Sequence, residues 1–252
     1  MKALIFAAGF GERMRPLTDR TPKPLLEAGG KPLIAWHLER LSALGVRDVV
    51  VNTSWLAAQF PHVLGDGSQW GLRLHFVHEG ASPLETGGGM HNALPLLRGD
   101  GDAPFLAING DVWCDYDLAR LPREPRGDAH LVLVDNPVHH PQGDFALQAD
   151  GCVRAEGGPK LTFAGIGVYR PRLLDGWRDV IGDRAGADEH PPSFPIAPLL
   201  RAAMARDAVG GDHHAGRWTD VGTPQRLAQL DAELAAEDFA QERDGHPALR
   251  GQ

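Results

Sequence analysis

The chain opens on an apolar run, Ala3 to Ala8, that breaks into Gly9-Phe10-Gly11 and leads to Arg13, Arg15 and Lys23. A short apolar run bounded by glycine reads as a buried strand. A strand that ends in a Gly-rich turn can aim several backbone N–H groups at one anion. Glycine serves there because it has no Cβ and tolerates positive φ, so the backbone approaches closely. Arginine adds a planar fork of donors and lysine a point charge. The segment is built to hold a polyphosphate. It is not a Walker A loop, because Glu12-Arg13-Met14 stands where Gly-Lys-Ser/Thr is required. Nor is it a dinucleotide fingerprint, because Met14 occupies the place of the third small residue.

A chain of 252 residues can bury one sizeable core. Its net charge of −8 excludes a general nucleic-acid binder, so an anionic ligand must be held by local positive groups. Cys114 and Cys152 have neither metal-ligand spacing nor a disulfide pattern and read as reduced thiols. The Met-Lys start lacks a signal-peptide layout, and no apolar stretch approaches the roughly 18 residues of a membrane span, so the expected compartment is the cytoplasm.

Strands and helices alternate through the first half. Helices are expected at Lys31–Gly45, Trp55–Leu64 and Thr86–Leu97. Strands are expected at Asp48–Asn52, Leu72–Val77, Phe105–Ile108 and His130–Val134. This pattern predicts a Rossmann-like α/β fold, a mixed but mostly parallel central sheet with helices on both faces. From Asn136 to Pro171 the chain is rich in Gly and Pro, with short runs at Asp144–Leu147 and Leu161–Tyr169 that suggest antiparallel or mixed strands beside the main sheet. Gly176–Pro195 reads as a surface excursion, Ile196–Ala205 and Pro224–Ala236 as helices, and Arg217–Val221 as a strand. The expected organisation is one domain over 1–237, with a nucleotide part to about 112 and a sugar part beyond it, then a polar, frayed tail over 238–252.

In an open α/β sheet, ligands bind beyond the carboxyl ends of the strands. The Gly9 loop and Asn109-Gly110-Asp111 both lie at such ends. An aspartate facing bound phosphates needs a cation between the two anions, and Mg²⁺ is the expected one. Asp220 in Trp218-Thr219-Asp220-Val221-Gly222-Thr223 offers a second carboxylate. The paired histidines His139-His140 and His213-His214 lack the spacing of a zinc site and read as structural or surface residues.

The whole string resembles the signature of the sugar-1-phosphate nucleotidyltransferases. It carries the Ala7-Ala8-Gly9-x-Gly11-x-Arg13 loop, then Pro16-Leu17-Thr18, then Pro22-Lys23-Pro24. The segments Leu131 to Phe145, Glu85 to Gly89, Asn109 to Trp113 and Leu161 to Ile166 resemble the uridylyltransferases of bacterial cell-wall recycling within that family. The likeness covers most of the chain and breaks at Trp177 to Ser193. It implies the nucleotide-diphospho-sugar transferase fold and two substrates, UTP and a sugar 1-phosphate, in a monomer or small homo-oligomer. It further implies that Ala8, Gly9, Gly11, Glu12 and Arg13 hold the triphosphate, and that Arg15 steadies the departing pyrophosphate. Lys23 bridges the reacting phosphates, and Asp111 and Asp220 ligate one Mg²⁺. The loop Glu79 to Gly89 receives the base, with Glu79, Leu84, Thr86 and Gly87 matching, Glu85 standing where glycine is usual and Gly88 where alanine is usual. Asn109, Asp144 and Gly165 reach the sugar. An ionised Glu79 accepts from uracil or guanine and suits cytosine less, so a mannose 1-phosphate guanylyltransferase remains the rival reading, ahead of a cholinephosphate cytidylyltransferase. A non-catalytic sugar-nucleotide sensor would be marked by loss of Lys23, Asp111 or Asp220, and all three are present.

Overall fold

The computed structural model describes residues 1–99 and 101–244, with side chains described to 237. Its first strand, β1 (Lys2–Phe6), is an interior strand of the main sheet. Successive residues of β1 point to opposite faces of the sheet. Ala3 and Ile5 enter one core and Leu4 enters the other, all at 0% exposure. The Gly-rich turn follows. A two-residue hairpin, β2 (Glu27–Ala28) and β3 (Lys31–Pro32), then leads into helix α1 (Leu33–Ala43). The chain continues through β4 (Asp48–Thr53), α2 (Gln59–Leu64), β5 (Arg73–His78), α3 (Glu85–Leu97) and β6 (Phe105–Asn109). Strands β4 and β6 flank β1, and all of these strands run parallel.

From β1 the chain winds outward to β4 and β5, and α3 then returns it to the other side of β1 as β6. The connection reverses between β1 and β6, which is where such sheets open a crevice at their carboxyl edge. Helix α1 packs on one face through Ile34, Leu38 and Leu41, and α3 on the other through Met90, Ala93 and Leu97. The mostly parallel sheet with helices on both faces is the expected one.

The second half departs from the expectation in four places. Leu161–Tyr169 is not beside the main sheet but inside it. It is β11 (Lys160–Tyr169), antiparallel to both β6 and β8 (Ala129–Val134). Short strands β7 (Val112–Cys114), β9 (Phe145–Leu147) and β10 (Val153–Arg154) precede it. The segment read as a surface excursion carries helix α4 (Trp177–Ile181), and its Trp177 and Phe194 are buried and stacked at 4.3 Å. After α5 (Ala197–Met204) comes an unforeseen strand, β12 (Val209–His214), parallel to β8 at the sheet edge. Its sequence, Val-Gly-Gly-Asp-His-His, has little β propensity. Then β13 (Trp218–Asp220) pairs with β7 in a small ribbon of its own. Finally α6 (Pro224–Asp244) runs well past Ala236, so the polar stretch from Asp238 to Asp244 is helical, and 245–252 lie outside the described residues.

A third, smaller core joins the two ends of the chain. Leu230 and Leu234 of α6 pack with Met14, Ala28, Leu33, Trp113 and Val221. Asp231 also accepts a hydrogen bond from the Gly29 N–H at 2.9 Å.

Candidate active site

The turn after β1 is fixed by its glycine. Gly11 adopts φ +67, and a Cβ there would press into the Thr18 methyl at 2.7 Å. Thr18 is buried and donates to the Gly11 carbonyl at 2.8 Å, while Trp55 donates to the Thr18 carbonyl. The loop is thus braced from below before any ligand arrives.

Beyond the carboxyl edge of β1, β4 and β6 lies a cavity of about 240 Å³. Of the expected site residues, Ala8, Gly9, Gly11, Lys23, Glu79, Thr86, Asn109 and Asp111 line it. Glu12 and Arg13 line an adjoining depression, shared with Gly11, Lys23 and Gly222. Lys23 and Asp111 meet at 2.5 Å, with side chains 14% and 34% exposed. The lysine is therefore held on the cavity wall by a carboxylate still open to solvent.

Asp220 reaches this region through the β13–β7 ladder. The register puts Asp220 opposite Val112, and the Val221 N–H donates to the Asp111 carbonyl at 2.8 Å. Its carboxylate accepts from Arg226 at 2.6 Å and contacts His139 at 3.0 Å. Asp111 and Asp220 offer oxygen donors alone, on neighbouring chain segments. That donor set suits a hard divalent cation.

A residue outside the expected set, Asn52, also lines the cavity. It closes the buried apolar run of β4, one residue before the strand's end, much as Asn109 closes that of β6. Its Oδ1 accepts from the Ala7 N–H at 2.7 Å, and its Nδ2 donates to Glu79 at 2.5 Å. Glu79 also accepts from the Leu84 N–H at 2.9 Å. At 4% exposure, burial pushes the Glu79 carboxyl above its ordinary value, and the two hydrogen bonds oppose that shift. A chain of hydrogen bonds, Ala7 to Asn52 to Glu79 to Leu84, therefore ties the phosphate loop to the loop beyond β5. The signal for Asn52 is present in the sequence as the polar end of Val49-Val50-Val51-Asn52.

The triple glycine is packed against the protein's own chain. Gly87 faces inward, and a Cβ there would meet the Phe194 ring at 2.5 Å. At Gly88 a Cβ would run into the Pro192 carbonyl oxygen, and at Gly89 into Glu79. The glycines admit the 192–194 strap and the Glu79 carboxylate. Thr86 uses its hydroxyl to accept from the Ile196 N–H at 3.0 Å. Glu85 adopts φ +58, a left-handed conformation that favours glycine. Its carboxylate lies 3.7 Å from Arg184. Two of the departures from the family pattern, Glu85 and the segment beginning at Trp177, are thus in contact with each other.

Besides Gly87 and Asp220, three further expected site residues lie away from the cavity lining. Arg15 is exposed and pairs with Asp19 at 3.3 Å. Asp144 accepts from the Phe163 N–H at 2.8 Å and contacts His140 at 3.1 Å. Gly165 sits at an irregularity of β11 with φ +75, directly against Asn109, so its lack of a side chain lets that asparagine stand at the end of β6.

A braced glycine turn at the reversal point of the sheet, with a lysine–carboxylate pair in the wall of the cavity beyond it, is the architecture of a nucleotide-binding transferase. The chain belongs to the nucleotidyl transferase family, whose sequence model matches residues 2–145. It is 48% identical over 241 residues to an N-acetylmuramate alpha-1-phosphate uridylyltransferase of Neisseria meningitidis, covering 92% of this chain and 97% of that one. An enzyme of the same description from Caulobacter vibrioides is 34% identical, with 92% and 96% covered. A mannose-1-phosphate guanylyltransferase of Mycobacterium tuberculosis is 42% identical, covering 99% of this chain and 67% of its own. Among solved structures, a chain assigned as a glucose-1-phosphate thymidylyltransferase from Bacillus anthracis has the same fold, with TM-score 0.75 at 20% identity over 93% of this chain and 95% of that one. Among the described residues, no helix is long and apolar enough to cross a membrane.

Proposed function

We propose that the chain transfers a uridylyl group from UTP to N-acetylmuramate 1-phosphate and releases pyrophosphate, with Mg²⁺ as its metal. The observation that carries the chemistry is the Lys23–Asp111 pair at 2.5 Å in the wall of the cavity behind the Gly9 loop. The choice of uracil and of the sugar follows the two relatives named for that reaction.

An oxygen of the sugar phosphate attacks the α-phosphorus of UTP, and the bond from that phosphorus to the β-phosphate oxygen breaks. A phosphate monoester is largely dianionic at pH 7, with its second pKa at about 6. The nucleophile therefore needs no general base. Catalysis reduces to positioning and charge stabilisation. In this reading Ala8, Gly9, Gly11, Glu12 and Arg13 hold the triphosphate, and Lys23 holds the α-phosphate against the incoming monoester. Arg15 leaves Asp19 to meet the departing pyrophosphate. Glu79 and Thr86 frame the base, while Asn109, Asp144 and Gly165 frame the sugar. Asp111 and Asp220 would hold the metal, which supplies neutralising charge at the α-phosphate.

A guanylyl reading, with mannose 1-phosphate as acceptor, draws on the relative from Mycobacterium tuberculosis. A pyrophosphate-release screen of four nucleoside triphosphates against several sugar 1-phosphates separates the two. Fastest turnover is expected with UTP and N-acetylmuramate 1-phosphate. A faster rate with GTP or CTP, using the best acceptor for each, refutes the base assignment.

A further inference from the structure

A second cluster of metal-ligating side chains lies away from the cavity, where β7 ends beside β12. Cys114 is the last residue of β7, and the Tyr116 N–H turns back to its Sγ at 3.4 Å. This turn brings the neighbouring Asp115 round to the same side. His214, the last residue of β12, meets the Asp115 carboxylate at 2.5 Å through Nε2. One donor atom from each of Cys114, Asp115 and His214 falls within 4.8 Å of the other two. Gly216 packs closely on this pair, and a Cβ there would collide with both the His214 ring and the Asp115 carboxylate. Sequence spacing gives no hint of this group, because its members are about a hundred positions apart and only the β8–β12 pairing brings His214 into place.

We propose that Cys114, Asp115 and His214 form a binding site for a borderline-soft divalent ion such as Zn²⁺, with water in the fourth position. Thiolate, carboxylate and imidazole together are donors that such an ion takes, and Mg²⁺ does not take thiolate. A tetrahedral ion with ligands at about 2.0–2.3 Å places its donor atoms roughly 3.3–3.6 Å apart. Asp115 and His214 must therefore open by somewhat under 1 Å, and Cys114, within 4.8 Å of both, closes by no more than about 1–1.5 Å. Asp115 is 43% exposed and free to make that adjustment. The thiolate and carboxylate neutralise the ion between them. Binding displaces the proton of the Cys114 thiol, which burial otherwise holds at a pKa of about 11, and that proton goes to solvent. Arg40 is no obstacle, since it donates to the Cys114 and Tyr116 carbonyls. The ion would tie the end of β7 to the sheet edge at β12, close to the ribbon that carries Asp220.

The test titrates the full chain, stripped with chelator, with Co²⁺ and Zn²⁺. The expected result is one tight equivalent, a thiolate-to-cobalt charge-transfer band, uptake that releases protons, and a raised thermal midpoint with Zn²⁺. Cys114→Ser and His214→Gln should each abolish the band, Asp115→Asn should weaken binding by about 10–100-fold, and Cys152→Ser should change nothing. Asp111→Asn keeps the band if this site is distinct from the catalytic one. Absence of the band in the wild-type chain, or its survival in both Cys114→Ser and His214→Gln, overturns the proposal. Asp115→Asn, at an exposed position, keeps the test decisive where Cys114→Ser fails to fold.

Discussion

Gly88→Ala pits helix propensity against packing. On propensity alone, alanine in a helix interior gains about 1 kcal/mol over glycine. In this fold the new methyl would point into the Pro192 carbonyl oxygen and stand 3.1 Å from Ser193 Cα and Leu84 Cβ. Two of those three neighbours are backbone, so the 192–194 strap must withdraw as a unit. Withdrawal stretches the Gly88 N–H bond to the Phe194 carbonyl, now 2.9 Å, and the Phe194 N–H bond to Leu84, now 3.1 Å. Each is worth roughly 0.5–1.5 kcal/mol. It also lifts Phe194, at 0% exposure, off its stacking partner Trp177, an overpacking strain of about 1–3 kcal/mol. Set against the propensity gain, the net loss is about 2–4 kcal/mol. For a chain of this size each kcal/mol lowers Tm by about 2–4 °C, so the expected fall is roughly 5–15 °C. Thermal unfolding of the variant beside the wild type, followed by circular dichroism, reads it directly. A Tm that stays level or rises refutes the idea that these glycines admit the strap.

Lys23→Ala should cost on the order of 3–4 kcal/mol of transition-state stabilisation, or about 10²–10³ in kcat, with its circular dichroism unchanged; a loss under tenfold places Lys23 outside the reaction. Asp111→Asn and Asp220→Asn should each remove most turnover. Their double variant should be little slower than either single one, because the two carboxylates act as a unit, and additive losses in kcat would contradict a shared ion. Burial raises the Glu79 carboxyl in the folded chain, so the native state binds more protons than the unfolded one just above the ordinary carboxylate value. Stability contributed by Glu79 is then full below that value and is lost as pH rises through its folded pKa. Denaturant midpoints across this window should fall with pH in the wild type and flatten in Glu79→Gln; an unchanged slope in the variant would contradict the shift.

The first half of the fold was readable because its strands are continuous apolar runs with their own punctuation. Val49-Val50-Val51-Asn52 and Phe105-Leu106-Ala107-Ile108-Asn109 each declare a buried parallel strand and its polar end. The Gly9 loop declares its anion for the same local reason. What the sequence hides is non-local. Strand β12 is built from glycines and histidines, and pairing with β8 makes it a strand. Trp177 and Phe194 are two apolar anchors in a segment rich in Gly, Asp and Pro, so composition suggests surface while burial says otherwise. Arg226 reads as an ordinary helix residue until its bond to Asp220 is seen.

The small core that joins Met14 to Leu230 and Leu234 sets an order of assembly. A ribosome delivers the phosphate loop first and the helix beneath it last. Domains fold during synthesis from the amino end, yet this loop waits for nearly the whole chain before its underside is covered. The carboxylate of Asp220 arrives in the same late stretch, on the ribbon just before α6. A chain halted before residue 218 would carry the lining of the cavity without the second carboxylate. Such a fragment could grip a nucleotide without turning it over. Synthesis through α6 closes this core and, on the proposed reading, completes the reaction centre in the same late stretch.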